Sequence, residues 1–97
     1  MLVSVTRLNI SNTGYKNSTR LETIFINTEK IVSIVNYEEI KSFLIREGSD
    51  LSDRQFSLLK ISSNTEKEQD LIVLGSPQDI VASFNATESS NRGILLD

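Results

Sequence analysis

The amino-acid sequence predicts a mainly β fold: a five-stranded small barrel with a short helix between strands three and four and a C-terminal helix. Three observations lead to this prediction. Five short segments are rich in β-branched and aliphatic residues and are separated by polar stretches. The apolar spacing changes to that of a helix at only two places. Two strands carry apolar side chains on both faces, which closure into a barrel would help to bury.

The 97 residues are enough for one domain, which we place at residues 1–85, followed by a flexible C-terminal tail at 86–97. We expect the first three strands at 2–10, 20–27 and 30–37. A polar loop joins the first two strands, and the residues NTEK form a turn between the second and third. Because they are close in sequence, strands two and three are expected to pair as an antiparallel hairpin.

The segment EEIKSFLIREG at 38–48 predicts a short helix. Its apolar residues Ile40, Phe43 and Leu44 fall on one helical face, with charged residues elsewhere. Gly48 suits the C-terminal end of this helix because glycine readily adopts a left-handed conformation.

Two further strands follow the helix. The polar connector 49–55 has room for one helical turn, and strand four is expected at 55–62. An acidic hairpin loop at 63–69 leads to strand five at 70–76. The run LIVL in strand five is expected where both faces of a sheet are covered.

The junction GSPQD predicts a sharp change from strand to helix. Gly75 permits the turn, Ser76 suits the N-cap, and Pro77 suits the first helical position. The helix is expected from about 77 to 85, with a buried stripe of Ile80, Val81 and Phe84. We interpret this junction as the start of a lid over the sheet.

Strands two and three carry more apolar surface than one small core can hide, so the sequence predicts self-association. In strand two, alternation places Leu21 and Phe25 on one face and Ile24 and Ile26 on the other. In strand three, it places Ile31 and Val35 on one face and Val32 and Ile34 on the other. The predicted oligomer interface comprises Ile24, Phe25, Ile26, Val32 and Ile34.

The composition excludes several kinds of chemistry. The chain has no cysteine and no histidine, which removes disulfides, thiol nucleophiles, zinc ribbons and the usual general base near neutral pH. Asp50 and Asp53, and the loop acids Glu66, Glu68 and Asp70, lack the spacing of a calcium loop and are expected to be solvated. The sequence therefore predicts no catalytic residue, no metal site and no cofactor.

The net charge of −3, from 10 basic and 13 acidic side chains, argues against general nucleic-acid binding. The first half of the chain is nevertheless mildly basic. A nucleic-acid contact, if one exists, is expected at Arg7, Lys16, Arg20 and Lys30. The alternative interpretation is that these charges are dispersed over a solvated surface.

The segments VSVTRLN, ETIFINTEKIVSIV and LIVLGSPQDIVASFN resemble small proteins encoded by marine T4-like phages and their hosts. They are also similar to the short flagellar protein family FlbD, whose pattern begins with TRLN and ends in an apolar strand and a short helix. The match covers Val5–Asn9, Phe25–Val35 and Leu71–Phe84. The number of strands is similar to that of Sm-like and SH3-like small barrels. The Sm-like resemblance implies rings that bind RNA, although this chain is acidic and lacks a His-containing RNA loop.

The sequence thus predicts a non-enzymatic, self-associating interaction or assembly module, in the cytoplasm of a bacterial or phage-infected cell. We expect no membrane contact, because the chain has neither a signal-peptide pattern nor a long apolar run. Two alternatives stay open. One is an RNA- or DNA-binding Sm-like oligomer. The other is a small regulator that docks on a host protein through the C-terminal segment GILLD, which could also add as a strand to a neighbouring subunit.

Overall fold

The computed structural model describes residues 1–12, 14–15, 17–63 and 67–96, with side chains described as far as residue 87. In chain order the elements are β1 (Leu2–Asn12), β2 (Asn17–Asn27), β3 (Ile31–Asn36), α1 (Ile40–Arg46), β4 (Phe56–Ile61), β5 (Gln69–Leu74) and α2 (Pro77–Leu96). Short 3-10 turns lie at Thr28–Lys30 and Asp50–Asp53. The mainly β prediction, the five strands and both helices are confirmed.

All five strands form one antiparallel sheet with the order β2-β1-β5-β4-β3. Between the described residues of β2 and β3 there is no ladder, so the sheet is not closed and a barrel is not shown. The predicted hairpin of strands two and three is wrong. β2 pairs with β1 along its whole length, and β3 pairs with β4, so the two lie at opposite edges of the sheet.

The turn Thr28–Lys30 nevertheless joins these two edges directly. The Thr28 amide donates to the Met1 carbonyl at 2.9 Å, and the Lys30 carbonyl accepts from the Ser62 amide at 2.8 Å. In a flat five-stranded sheet the edge strands would lie roughly 19 Å apart. The four Cα–Cα steps from Asn27 to Ile31 span at most about 15 Å. The sheet must therefore be strongly curled, which brings β2 and β3 together at this corner.

The inner face of the curled sheet is covered by α2, and we call it the α2 face. Ile80 and Phe84 of α2 pack into a core with buried residues from β1, β2, β4 and β5: Val3, Val5, Ile26, Leu59, Leu71 and Val73. Residues of both edge strands add to its margin: Ile24 of β2, and Ile31 and Ile34 of β3. This cluster therefore holds the two edges to a common core.

The opposite face, which we call the α1 face, is partly covered by α1 and the turn Asp50–Asp53. Leu44 is fully buried there, together with Leu8, Ile40 and Phe56. Leu21 and Leu51 pack at the margin of this cluster. The chain thus supplies a cover for the α2 face and a partial cover for the α1 face.

The strand-to-helix junction forms as predicted. The Asp79 amide donates to the Ser76 hydroxyl at 3.1 Å, which is an N-cap bond. Gly75 has φ of +115°, and its carbonyl accepts a 2.7 Å hydrogen bond from the buried Ser57 hydroxyl of β4. The junction is tied to the sheet, so α2 serves as the expected lid. The helix is longer than the predicted 77–85 and continues to Leu96. Ile80 and Phe84 are buried as predicted, but Val81 is 44% exposed, so the prediction that it belongs to the buried stripe is wrong.

Candidate interaction surface

The structure divides the five predicted interface residues into two groups. Ile26 is buried in the core of the chain itself, and Ile24 and Ile34 pack against that core. Phe25 is 69% exposed and Val32 is 52% exposed. The side chain of Ile26 lies on the α2 face and has little surface left to expose, whereas Phe25 and Val32 keep about half or more of theirs. The assignment of these residues to an oligomer interface stays a prediction.

A β-bulge explains why strand three departs from the predicted alternation. The pairing of β3 with β4 shifts between Ile31 and Ser33, which places Val32 at the irregularity. After the shift Ile34 lies opposite Leu59 and Val35 opposite Leu58. Ile31 and Ile34 consequently share the inner face, and Val32 and Val35 are exposed. A regular strand would have placed Val32 and Ile34 together.

Sequence reasoning missed one exposed apolar residue next to Phe25. Leu2 is 65% exposed. In the β1–β2 register Ser4 lies opposite Phe25 and Leu2 lies opposite Asn27, so Leu2 and Phe25 are diagonal neighbours on the α1 face. The signal was present in the alternation, because Leu2 has the opposite parity to the buried Val3. We call Leu2 and Phe25 the β2 apolar patch.

The patch borders the edge of β2 that faces away from β1, and no other strand of the described residues pairs with this edge. β2 has eleven residues, its register with β1 is unbroken, and the sheet ends there. The bond from the Thr28 amide to the Met1 carbonyl continues this register and makes Met1 and Thr28 a hydrogen-bonded pair. Alternation then turns the backbone groups of odd-numbered residues away from β1, among them Leu21, Thr23 and Phe25.

The start of β2 makes side-chain hydrogen bonds to the residues that follow α1, whereas Asn27 at its other end accepts from Met1 and from the Glu29 amide of the next turn. The Asn17 side-chain amide donates to the Glu47 carboxylate at 3.4 Å, and the Thr19 and Ser49 hydroxyls lie 3.3 Å apart. The polar residue Thr23 is exposed. The outward backbone groups of Leu21, Thr23 and Phe25 lie beyond these side-chain contacts, so they form the accessible part of the edge.

The predicted cationic residues do not form one basic surface. Arg7 and Arg20 are brought together on the α2 face, but both contact Glu22, at 3.7 Å and 3.8 Å. Lys30 lies in the turn beyond the other end of β2, and the strand from Arg20 to Asn27 alone spans about 23 Å. Lys16 lies outside the described residues. Glu22 thus neutralises much of the charge that this hypothesis needs.

The acidic residues are dispersed in the same way. Asp50 and Asp53 are exposed in their 3-10 turn, and Glu68 pairs with Lys60 at 3.6 Å. Glu66 lies outside the described residues. In the described part of the chain, no group of three or more metal-ligating side chains comes together. None of the helices found there has the length and hydropathy that a membrane crossing requires.

Comparison of the chain with protein-family models, with curated proteins and with solved structures finds no match. The resemblance to phage proteins and to FlbD therefore stays a prediction.

Proposed function

We propose that this chain is a non-enzymatic interaction module that associates with copies of itself. The observation that supports the proposal is the long, regular and unpaired edge of β2, together with the adjoining β2 apolar patch. Unpaired backbone groups on an edge strand are a template for another strand. The exposed Phe25 supplies apolar area that association would remove from water.

The energy available from Phe25 sets the expected size of the effect. Full burial of a phenylalanine side chain contributes about 1.5–3 kcal/mol, and a symmetric dimer buries two of them. Natural edge strands are usually protected by charges, prolines, bulges or covering loops. β2 contains no proline, and its pairing with β1 shows no bulge. Its side-chain charges, Arg20 and Glu22, contact each other at 3.8 Å.

The test is the mass of the chain in solution, measured by light scattering at several concentrations. We expect a species of at least twice the 10.9 kDa of one chain at about 100 µM. Phe25→Lys should weaken association by about 10- to 100-fold, because it removes one apolar contact per copy and adds a charge.

Val35→Lys is the matched control. Val35 is also an exposed apolar residue on an edge strand, and it lies on the same face of the sheet. We expect its replacement to leave the mass unchanged. A monomer at every concentration would refute the proposed function. Equal effects of the two substitutions would show that general surface hydrophobicity, rather than the β2 edge, drives association.

A further inference from the structure

We infer that two copies of the chain pair antiparallel along their β2 edges, with Thr23 of one copy opposite Thr23 of the other. The inference rests on the proposed self-association and adds the partner strand and its register. Pairing of this kind joins two five-stranded sheets into one ten-stranded sheet across a two-fold axis.

The backbone limits the possible registers. Odd-numbered residues of β2 present their amide and carbonyl groups outward, so these residues must form the hydrogen-bonded pairs between copies. In a symmetric pair of strands, each residue must lie opposite a residue whose side chain is on the same face of the joined sheet. This holds only when the two-fold axis passes between one residue and the same residue of the other copy. Registers centred within one residue of Glu22, the midpoint of β2, pair the greatest length of the two strands, so the candidates for that residue are Leu21, Glu22 and Thr23.

The register centred on Glu22 places two carboxylates directly opposite each other on the α2 face. Like charges at directly opposed positions destabilise a strand pair. Arg7 and Arg20 already contact Glu22 within each copy, at 3.7 Å and 3.8 Å, and they would lie off the axis. This register is therefore the least favourable of the three.

The register centred on Leu21 gains opposite-charge pairs but leaves the apolar patch poorly matched. Arg20 would face Glu22 of the second copy, yet these two side chains are already paired within each chain at 3.8 Å. Phe25 would face Asn17 of the second copy, whose side-chain amide donates to Glu47. A phenyl ring beside an engaged polar group loses little contact with water.

The register centred on Thr23 matches the apolar residues. Phe25 of each copy lies opposite Leu21 of the other, and both side chains are on the α1 face. Leu21 packs at the margin of the cluster that contains Leu44, so Phe25 extends that cluster across the axis. The existing pairing of Arg20 with Glu22 is kept within each copy.

Disulfide trapping tests the register. Because the chain has no native cysteine, only the introduced cysteine can form a disulfide. The single variants Leu21→Cys, Glu22→Cys and Thr23→Cys are each exposed to mild oxidant, and covalent dimer is followed with time. A residue on the axis meets its own copy with Cα atoms about 4.5–5.5 Å apart, which a disulfide can bridge. We expect Thr23→Cys to form covalent dimer at least about tenfold faster than the other two.

Val35→Cys on β3 measures the rate at which covalent dimer forms by random collision, and we expect that rate to be low. Thermal melting verifies that each variant is folded. Fastest trapping at Leu21→Cys or Glu22→Cys, with a dimer of the unmodified chain in light scattering, would overturn the register and leave the proposed function intact. Trapping of all variants at the rate of Val35→Cys would overturn edge pairing. A monomeric unmodified chain would refute both proposals.

Discussion

The two edges of the sheet differ in length and in regularity. β2 has eleven residues in unbroken register with β1, whereas β3 has six residues and a register shift at Val32. A bulge twists a strand and interrupts the row of outward backbone groups, which is one of the ways in which proteins protect an edge. β3 is protected in this way, and the second half of β2 is not.

The difference shows that exposed apolar residues alone do not define an interaction surface. Val32 and Val35 on β3 are also exposed, at 52% and 49%, against 69% for Phe25 on β2. Within the described residues, Phe25 lies beside a longer unbroken row of outward backbone groups than Val32 and Val35 do, because the register of β2 has no shift. If this distinction between the edges is real, substitutions that act on β2 should change association and matched substitutions on β3 should not.

Phe84→Ala should weaken the core cluster against which residues of both edge strands pack. Phe84 is 9% exposed and belongs to the cluster that also holds Ile26 of β2, with Ile31 of β3 at its margin. Replacing a buried phenylalanine by alanine costs about 3–5 kcal/mol. We expect this loss in the free energy of unfolding, measured by urea denaturation under conditions that keep the chain monomeric.

Val81→Ala on the exposed side of α2 is the control for Phe84→Ala. Val81 is 44% exposed, so its truncation should lower the free energy of unfolding by less than about 1 kcal/mol. Similar losses for the two variants would contradict the assignment of α2 as the cover of the inner face.

Thr23→Pro tests whether β2, rather than β3, is the edge that pairs with a second copy. The Thr23 amide points away from β1, so proline removes no bond of the β1–β2 ladder but blocks an added strand. We expect the dimer to weaken at least about 100-fold, equivalent to about 2.7 kcal/mol, in sedimentation measurements.

Asn36→Pro on β3 is the matched substitution. The bond from the Tyr37 amide to the Phe56 carbonyl, at 3.0 Å, shows by alternation that the Asn36 amide also points outward. This variant should associate like the unmodified chain. If Asn36→Pro abolished the dimer and Thr23→Pro did not, the interacting edge would be β3. Circular dichroism verifies that both variants are folded.

Ser76→Ala should have the smallest effect, because it weakens only the start of α2, the helix that covers the inner face. Its hydroxyl accepts the Asp79 amide at 3.1 Å, and loss of an N-cap costs about 1 kcal/mol. The control is Ser83→Ala in the same helix, where the hydroxyl donates to the Ile80 carbonyl within one turn at 2.8 Å. We expect Ser83→Ala to be close to neutral in thermal melting. Equal destabilisation by both variants would exclude a special role for the cap.

The sequence by itself determined the local elements. The five strands follow from runs of β-branched and aliphatic residues, and the start of α2 follows from Ser76 and Pro77. The alternation of β2 was also readable, with Leu21 and Phe25 on one face and Ile24 on the other. These features depend on residues within a few positions of one another, so their causes are visible in the chain.

Only the tertiary structure decided which strands pair and what covers each face. The pairing of β3 with β4 produces the bulge at Val32, and the bulge returns Ile34 to the core. Packing of α1 over Leu21 leaves Phe25 exposed on the same face of the same strand. Strand partners, register shifts and helix docking depend on contacts between residues far apart in the chain, and local alternation carries no information about them.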